Sequence, residues 1–175
     1  MREKINVQLA ERDRQLAKRL IESRLKSFRE MPDWDTAKNS YGVDAYDRQY
    51  TCLMGELAFG EYADLTIDAN EYRWTDGGTD FDIKYNGNPC TVDVKTANKE
   101  PYALFVKQSS NISADYYVQG HLDDLSVTFF GMATGEKVRA QELVDTPHGH
   151  QNHEVPIEQL QPIPEPEALR PIGSN

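Results

Sequence analysis

The sequence has little of what several common site types require. Its two cysteines, Cys52 and Cys90, stand apart, with no Cys-x-x-Cys pair and no Cys/His spacing typical of a metal site. This argues against a disulfide framework or a structural zinc site, and we expect both thiols to be small buried hydrophobes. The Gly-x-Ser-x-Gly, P-loop and Rossmann glycine patterns are also missing, so we expect neither a serine nucleophile nor a nucleotide cofactor.

Long apolar runs are missing as well. No stretch approaches the roughly 18 apolar residues that a membrane span needs, and the first residues lack the apolar core of a signal peptide. We therefore expect no membrane association and a cytoplasmic, intracellular location. The chain has 175 residues, of which 38% are hydrophobic, which is enough for one folded domain.

Positive charge is scarce overall but concentrated near the start of the chain. The net charge of −10 is unusual for a protein that binds nucleic acid. Residues 1–29, however, carry nine Lys and Arg against four acids, a net charge of +5 that leaves −15 for the remainder. A basic N-terminal helix could contact phosphates or form a dimer interface, and an ordinary amphipathic helix with a charged outer face is the alternative.

The pattern of apolar residues predicts an α/β domain with a central mixed β-sheet flanked by helices. A single domain is expected over residues 1–160, with the basic helix in 1–31 and the core in 44–160. The prolines beyond residue 160 predict a poorly ordered, extended tail over 161–175.

Individual elements follow from capping and periodicity. Asn6 is predicted to cap the first helix, and a second helix is expected over residues 44–64. Thr134 is predicted to cap a third helix over about residues 135–143. Residues 153–157 are predicted to be an edge strand or extended segment, and further strands are expected over residues 79–85, 91–95, 103–106, 114–119 and 126–132.

The two strands around the Asn-Gly-Asn-Pro loop at 86–89 carry acids on one face. Alternation places Asp80 and Asp82 on one side of the first strand, and Asp93 and Lys95 on the same side of the second. A two-residue Asn-Gly turn would pair Asp80 with Asp93, and a four-residue loop would pair Asp82 with Asp93. Either register leaves two carboxylates about 5 Å apart, a repulsive pair that a divalent cation would stabilise. The alternative is a solvated face on which lysines neutralise the acids.

The second predicted helix contains Glu56, flanked by the small residues Gly55 and Ala58. A buried glutamate is costly unless it has a partner, such as a metal or a lysine from the sheet. A solvent-facing Glu56 is the alternative.

Glu56, Asp80 and the run Asp93-Val94-Lys95 together resemble the PD-(D/E)XK nuclease superfamily. Its pattern is a helix glutamate, a strand aspartate and an acid-x-Lys on the next strand. The resemblance covers about residues 50–160, and segments 55–62 and 76–82 are similar to those of archaeal Holliday junction resolvases and small phage nucleases. Thr79 stands where the family often has proline, which leaves Asp80 and Asp82 as alternative ligands, and the two-residue turn favours Asp80.

This resemblance implies a restriction-endonuclease-like core and a Mg²⁺- or Mn²⁺-dependent DNA endonuclease. Asp80, Asp93 and the Val94 carbonyl would bind the metal, and Glu56 would hold a second metal or a metal-bound water. Lys95 would orient the attacking water and stabilise charge, and a lysine that is desolvated beside a metal can also have a lowered pKa. Candidates for contacts with nucleic acid are Lys84, Lys99, Lys107 and Gln119.

The implied substrate is duplex, branched or single-stranded DNA, in junction resolution, recombination, repair or restriction. A symmetric homodimer would allow paired cuts. The alternatives are a non-catalytic DNA-binding or assembly protein on the same fold, and an RNA nuclease.

Overall fold

The fold is taken from a computed structural model, which describes residues 3–28, 45–65, 79–108, 111–147 and 149–173. The α-helices are α1 (Glu11–Phe28), α2 (Ala45–Tyr62) and α3 (Gly135–Arg139). Short 3₁₀ helices cover Ile157–Gln159 and Pro166–Ala168. The strands are β1 (Ile5–Gln8), β2 (Phe81–Tyr85), β3 (Asn88–Ala97), β4 (Ala103–Lys107), β5 (Tyr116–Asp123), β6 (Ser126–Thr134), β7 (Leu143–Asp145), β8 (Gln151–Pro156) and β9 (Leu169–Pro171).

The strands form two sheets. The main sheet has six strands in the order β1-β6-β5-β3-β2-β9, and the second has three in the order β4-β8-β7. In the main sheet β3 and β5 pair in parallel and the other neighbours pair antiparallel. The expected α/β class with a mixed sheet is confirmed, but the sequence did not indicate a second sheet.

Each face of the main sheet has its own apolar core, because side chains alternate along a strand. Helix α2 packs on one face, where Leu53, Phe59, Val92, Val94 and Phe129 share a core. The opposite face packs against the second sheet and α3, through Leu104, Val106, Tyr117, Phe130, Ala133, Val138 and Val155. Successive residues of β3 therefore face two different environments.

The chain enters the fold through a strand rather than a helix, so the prediction that Asn6 caps a helix is wrong. Asn6 lies in β1, opposite Thr128 of β6, and its side-chain amide donates to Ser126 Oγ at 2.8 Å. Helix α1 begins at Glu11, where the Ala10 N–H donates to Asp13 Oδ2 at 2.9 Å. That contact satisfies a backbone donor at the helix start, as a capping residue does.

The proline-rich segment is part of the sheet, which corrects the expectation of a poorly ordered tail. Strand β9 pairs antiparallel with β2, with Leu169 opposite Tyr85. Leu169 and Ile163 are buried, and the Tyr62 hydroxyl donates to the Pro164 carbonyl at 3.0 Å. Prolines suit this edge position because an edge strand needs only half of its backbone donors.

The remaining elements lie close to their predicted positions. Helix α2 lies within two residues of the expected bounds, and Thr134 caps α3 by accepting from the Lys137 N–H. Helix α3 ends at Arg139, earlier than predicted, and β8 is the central strand of the second sheet rather than an edge. Within the described part of the chain, no helix combines the length and apolar character needed to cross a membrane.

Candidate active site on the β2–β3 hairpin

A tight turn fixes the register of the two strands that carry the predicted acids. Phe81 pairs with Val92 and Tyr85 pairs with Asn88, which leaves Asn86 and Gly87 as a two-residue turn. Both turn residues have positive φ, 51° and 82°, as a type I′ turn requires. This register continues to Asp80 opposite Asp93, whereas Asp82 pairs with Thr91. The structure thus brings Asp80, rather than Asp82, to Asp93.

Asp80 lies just before β2 begins, at the point where the backbone leaves the regular ladder. Its N–H donates to the Val92 carbonyl at 3.0 Å, and its Oδ2 accepts from the Val94 N–H at 2.7 Å. The Asp80 side chain therefore accepts a hydrogen bond from β3 that a backbone carbonyl of the neighbouring strand would otherwise accept. Since the N–H and C=O of a strand residue point to the same side, the Val94 carbonyl also faces this position.

The proton affinity of Asp80 reflects its neighbours. Burial, followed by the negative charge of Asp93, raises the pKa of Asp80 to about 7, against the opposing effects of the Val94 hydrogen bond and Lys95. A carboxyl group that titrates near neutrality beside a second carboxylate is the arrangement that a cation would stabilise.

Lys95 supplies the nearest positive charge. Its Nζ lies 2.8 Å from Oδ1 and 2.9 Å from Oδ2 of Asp93, so the ammonium bridges both oxygens. Burial is the largest single influence and lowers the pKa of Lys95, but the charge and hydrogen bond of Asp93 and the charge of Asp80 together exceed it, so the pKa is raised above its ordinary value. The prediction of a lowered pKa concerned a lysine beside a bound metal and stays a prediction; in the contacts described here Lys95 is a cation held against Asp93.

Helix α2 brings Glu56 to the neighbourhood of the hairpin. Glu56 is 9% exposed, as predicted for a buried position. The helix approaches β3 closely at Gly55, where an added Cβ would lie 1.7 Å from Thr96 Oγ1. Cys52, one turn before Glu56, is within electrostatic range of Glu56, Lys95, Asp80 and Asp93. Helix α2 and the hairpin therefore approach each other at Thr96, one residue after Lys95.

The two cysteines differ from each other in environment. Cys90 is half-buried rather than fully buried. Cys52 has exposed surface, but the protein surrounds its thiol, and this burial raises the pKa of the thiol to about 11. Tyr117 is a further neighbour of Lys95 that the sequence did not predict, and its ring centroid lies 6.0 Å from Lys95 Nζ. Tyr117 lies beside Asp93 because β5 pairs in parallel with β3. The residue pattern of a single strand does not show which strand will pair with it, so this contact is not indicated by the sequence.

Gln119 lies beside Lys95 on the neighbouring strand β5. It is 3% exposed, pairs with Lys95 across β3 and β5, and its side-chain amide donates to the Lys95 carbonyl at 3.1 Å. This burial does not favour the predicted contact of Gln119 with nucleic acid.

The predicted lysine contacts lie on three different elements. Lys84 is on β2 opposite Arg170 of β9, four residues from Asp80 and therefore about 13 Å along the strand. Lys99 is exposed in the connection after β3, and Lys107 is exposed at the end of β4 in the second sheet. The three lysines therefore stay separate predictions, each on its own element of the fold.

The basic charge of α1 is partly neutralised where it meets the rest of the fold. A groove of about 450 Å³ lies among α1, α2 and the end of β5, lined by residues that include Arg14, Lys18, Asp47 and Asp124. Arg14 Nη2 lies 2.5 Å from Asp124 Oδ1, and these four charges sum to zero. The groove therefore offers no local excess of positive charge for the predicted phosphate contacts.

The donors at the site fit a hard divalent cation. No three His, Cys, Asp or Glu side chains in the described ranges lie close enough together to hold a metal as they stand. Mg²⁺, however, is usually bound through one or two carboxylates and keeps several waters. Asp80 and Asp93 supply two carboxylates, and the Val94 carbonyl supplies a further oxygen beside them.

Comparisons of the chain with protein-family models, with curated proteins and with solved structures found no match. Part of the segment that carries the resemblance, residues 76–78, lies outside the described residues.

Proposed function

We propose that this chain is a metal-dependent nuclease that hydrolyses phosphodiester bonds in DNA, with Mg²⁺ or Mn²⁺ as its cofactor. The observation that carries the proposal is the contact set of Asp80, Asp93 and Lys95 on one hairpin. Two facing carboxylates and a fixed ammonium are the groups that the PD-(D/E)XK pattern uses. On this proposal the mixed sheet and α2 form a restriction-endonuclease-like core.

The chain's own residues would have distinct parts in the reaction. Asp80, Asp93 and the Val94 carbonyl would hold the metal, and Glu56 would bind a metal-bound water or a second ion from the helix side. When bound, the metal would act as a Lewis acid on the phosphate. Lys95 would donate hydrogen bonds, because its raised pKa keeps it protonated. An ammonium in this position can orient the attacking water and stabilise charge that develops on the phosphate oxygens.

The decisive experiment measures cleavage of labelled single-stranded, duplex, flapped and four-way-junction DNA with Mg²⁺ or Mn²⁺. We expect metal-dependent cutting by the wild type and a loss of about 10²-fold or more in Asp93→Asn and Lys95→Met. Asp82→Asn is the matched control, since it removes an exposed acid from the same hairpin, and we expect its rate to stay within twofold.

Two further readouts complete the test. Thermal unfolding with Mn²⁺ should show stabilisation of the wild type that is lost in Asp93→Asn, because a ligand that binds only the folded state stabilises it. RNA of the same sequences distinguishes a ribonuclease. Absence of cutting on every substrate, together with absence of metal-induced stabilisation, would contradict the proposal and favour a non-catalytic DNA-binding protein.

A further inference from the structure

Gln119 is a buried polar side chain directly beside Lys95. The parallel register pairs the two residues, and Gln119 is 3% exposed. A polar group at this depth costs free energy unless its hydrogen bonds are satisfied. Its contacts therefore show what the position requires.

The two contacts of the Gln119 amide fix its orientation. Nε2 donates to the Lys95 carbonyl at 3.1 Å and to the Gly120 carbonyl at 2.7 Å. Both partners are acceptors only, so the NH₂ end of the amide must face them, and both of its hydrogens are used. A carboxylate, a hydrocarbon or a shorter amide could not reproduce this pair of bonds.

These hydrogen bonds connect β3, the strand that carries Lys95, to the point in β5 where its pairing with β6 becomes irregular. Between Gln119 and Gly120 the pairing of β5 with β6 shifts: Gln119 faces Gly131, whereas Gly120 faces Phe129. The extra residue, Phe130, lies in β6, so the bulge interrupts the backbone ladder beside Gly120 and bends β6. The Gln119 amide links the carbonyl of Gly120, at the bulge, to the carbonyl of Lys95.

A fixed backbone is of particular value to Lys95. Its ammonium sits at the end of a flexible four-carbon stem, yet it must reach both oxygens of Asp93. A fixed backbone at Lys95 reduces the number of conformations that the lysine can adopt, so less conformational freedom is lost when the ammonium contacts Asp93.

We propose that Gln119 is a positioning residue for Lys95, acting through the backbone clamp between β3 and β5. This inference rests on the proposed nuclease function for its effect on turnover. Both donors of its amide are used by backbone carbonyls, so on this proposal Gln119 acts by holding Lys95 where the ammonium can bridge Asp93.

The test compares Gln119→Met, which keeps the length of the side chain but removes both donors, with the wild type. Leu122→Ala is the control: it removes a buried side chain from the same strand and destabilises the fold without touching Lys95. The first readout is the side-chain ammonium signal of Lys95 in protein with ¹⁵N-labelled lysine, assigned by its loss in Lys95→Met. The second is kcat and KM for the cleaved DNA.

We expect Gln119→Met to shift or broaden the Lys95 signal and to lower kcat at least tenfold, with KM within twofold. Leu122→Ala should leave both unchanged at a temperature where it is folded. If Gln119→Met does not fold, Gln119→Asn replaces it, because its shorter amide cannot reach both carbonyls. An unchanged Lys95 signal with kcat within twofold would overturn the proposal. A wild type that cuts no DNA would contradict the nuclease function alone, and the ammonium signal would then still decide whether Gln119 positions Lys95.

Discussion

Lys95 bridges both carboxylate oxygens of Asp93, at 2.8 and 2.9 Å, from two residues further along the same strand. Residues two apart in a strand share a face, so the acid-x-Lys spacing is what makes the contact available. The side chains of Lys95 and Asp93 are only 35% and 16% exposed. The pair is therefore screened less by solvent than a surface ion pair, and removing one partner leaves the other charge partly desolvated.

The charge of Lys95 also affects the pKa of Asp80. Lys95 lowers the pKa of Asp80, which burial and Asp93 raise to about 7. In Lys95→Met we expect the pKa of Asp80 to rise above this value. A ¹³C NMR titration of the aspartate carboxyls measures it, with Lys84→Met as the control that removes a lysine from the adjacent strand. An unchanged or lower pKa in Lys95→Met would contradict the electrostatic account of the site.

Asp80 makes the stability of the fold depend on pH in an unusual direction. Its pKa is about 7 in the folded state, against an ordinary value of 3.8 for a solvated aspartate. Between these values the folded state holds a proton that the unfolded state has released, so stability falls as pH rises from about 4 to 7. One such proton contributes a slope of up to about 1.4 kcal/mol per pH unit.

Urea denaturation at several pH values checks this dependence. We expect the unfolding free energy of the wild type to fall as pH rises through this window, because Asp80 loses its proton. Asp80→Asn lacks the titrating group, so its stability relative to the wild type should increase over the same range. Asp82→Asn should follow the wild type, because Asp82 is exposed. A wild-type curve parallel to that of Asp80→Asn would mean that Asp80 ionises in the folded state as it does in water.

The close approach of α2 to β3 at Gly55 predicts a steric conflict on substitution. The added Cβ of Gly55→Ala would lie 1.7 Å from Thr96 Oγ1 and 2.7 Å from Thr96 Cβ. Overpacking of a tight interface typically costs about 1–3 kcal/mol, occasionally more, and here it would outweigh the helix propensity gained from alanine.

A double-mutant cycle measured by chemical denaturation separates the two effects. Because Thr96→Ala removes the nearest atom, Gly55→Ala should cost less in the Thr96→Ala background than in the wild type. Equal costs in both backgrounds would show that the helix does not contact β3 at Thr96.

Local patterns were sufficient to predict the hairpin and its acids. The Asn86-Gly87 turn sets the register, and alternation sets the face, so the pairing of Asp80 with Asp93 follows from a short stretch of sequence. The burial of Glu56 likewise follows from its small neighbours, which permit close helix packing. The turn, the alternation and the small neighbours of Glu56 all depend on residues close together in the chain, so they can be predicted from one sequence.

Contacts between distant segments could not be predicted in this way. The segment at residues 5–8 becomes a strand because β6 offers a free edge, and its amphipathic pattern alone is compatible with a helix. Gln119 is an unremarkable polar residue in the sequence, and only the parallel pairing of β5 with β3 gives its amide the Lys95 carbonyl. Tertiary pairing, rather than local propensity, decided these positions.

The C-terminal strand offers the last prediction, because β9 covers the outer edge of the strand that begins beside Asp80. Deletion of residues 162–175 would remove the buried side chains of Ile163 and Leu169 and expose the backbone edge of β2. Burying one aliphatic side chain contributes about 1.5–3 kcal/mol, so we expect a fall of several kcal/mol in the unfolding free energy. Deletion of residues 174–175 alone, which lie beyond β9, is the matched control and should leave stability unchanged. Thermal and urea unfolding compare the two truncations, and equal stability would mean that β9 does not hold the edge of β2 in solution.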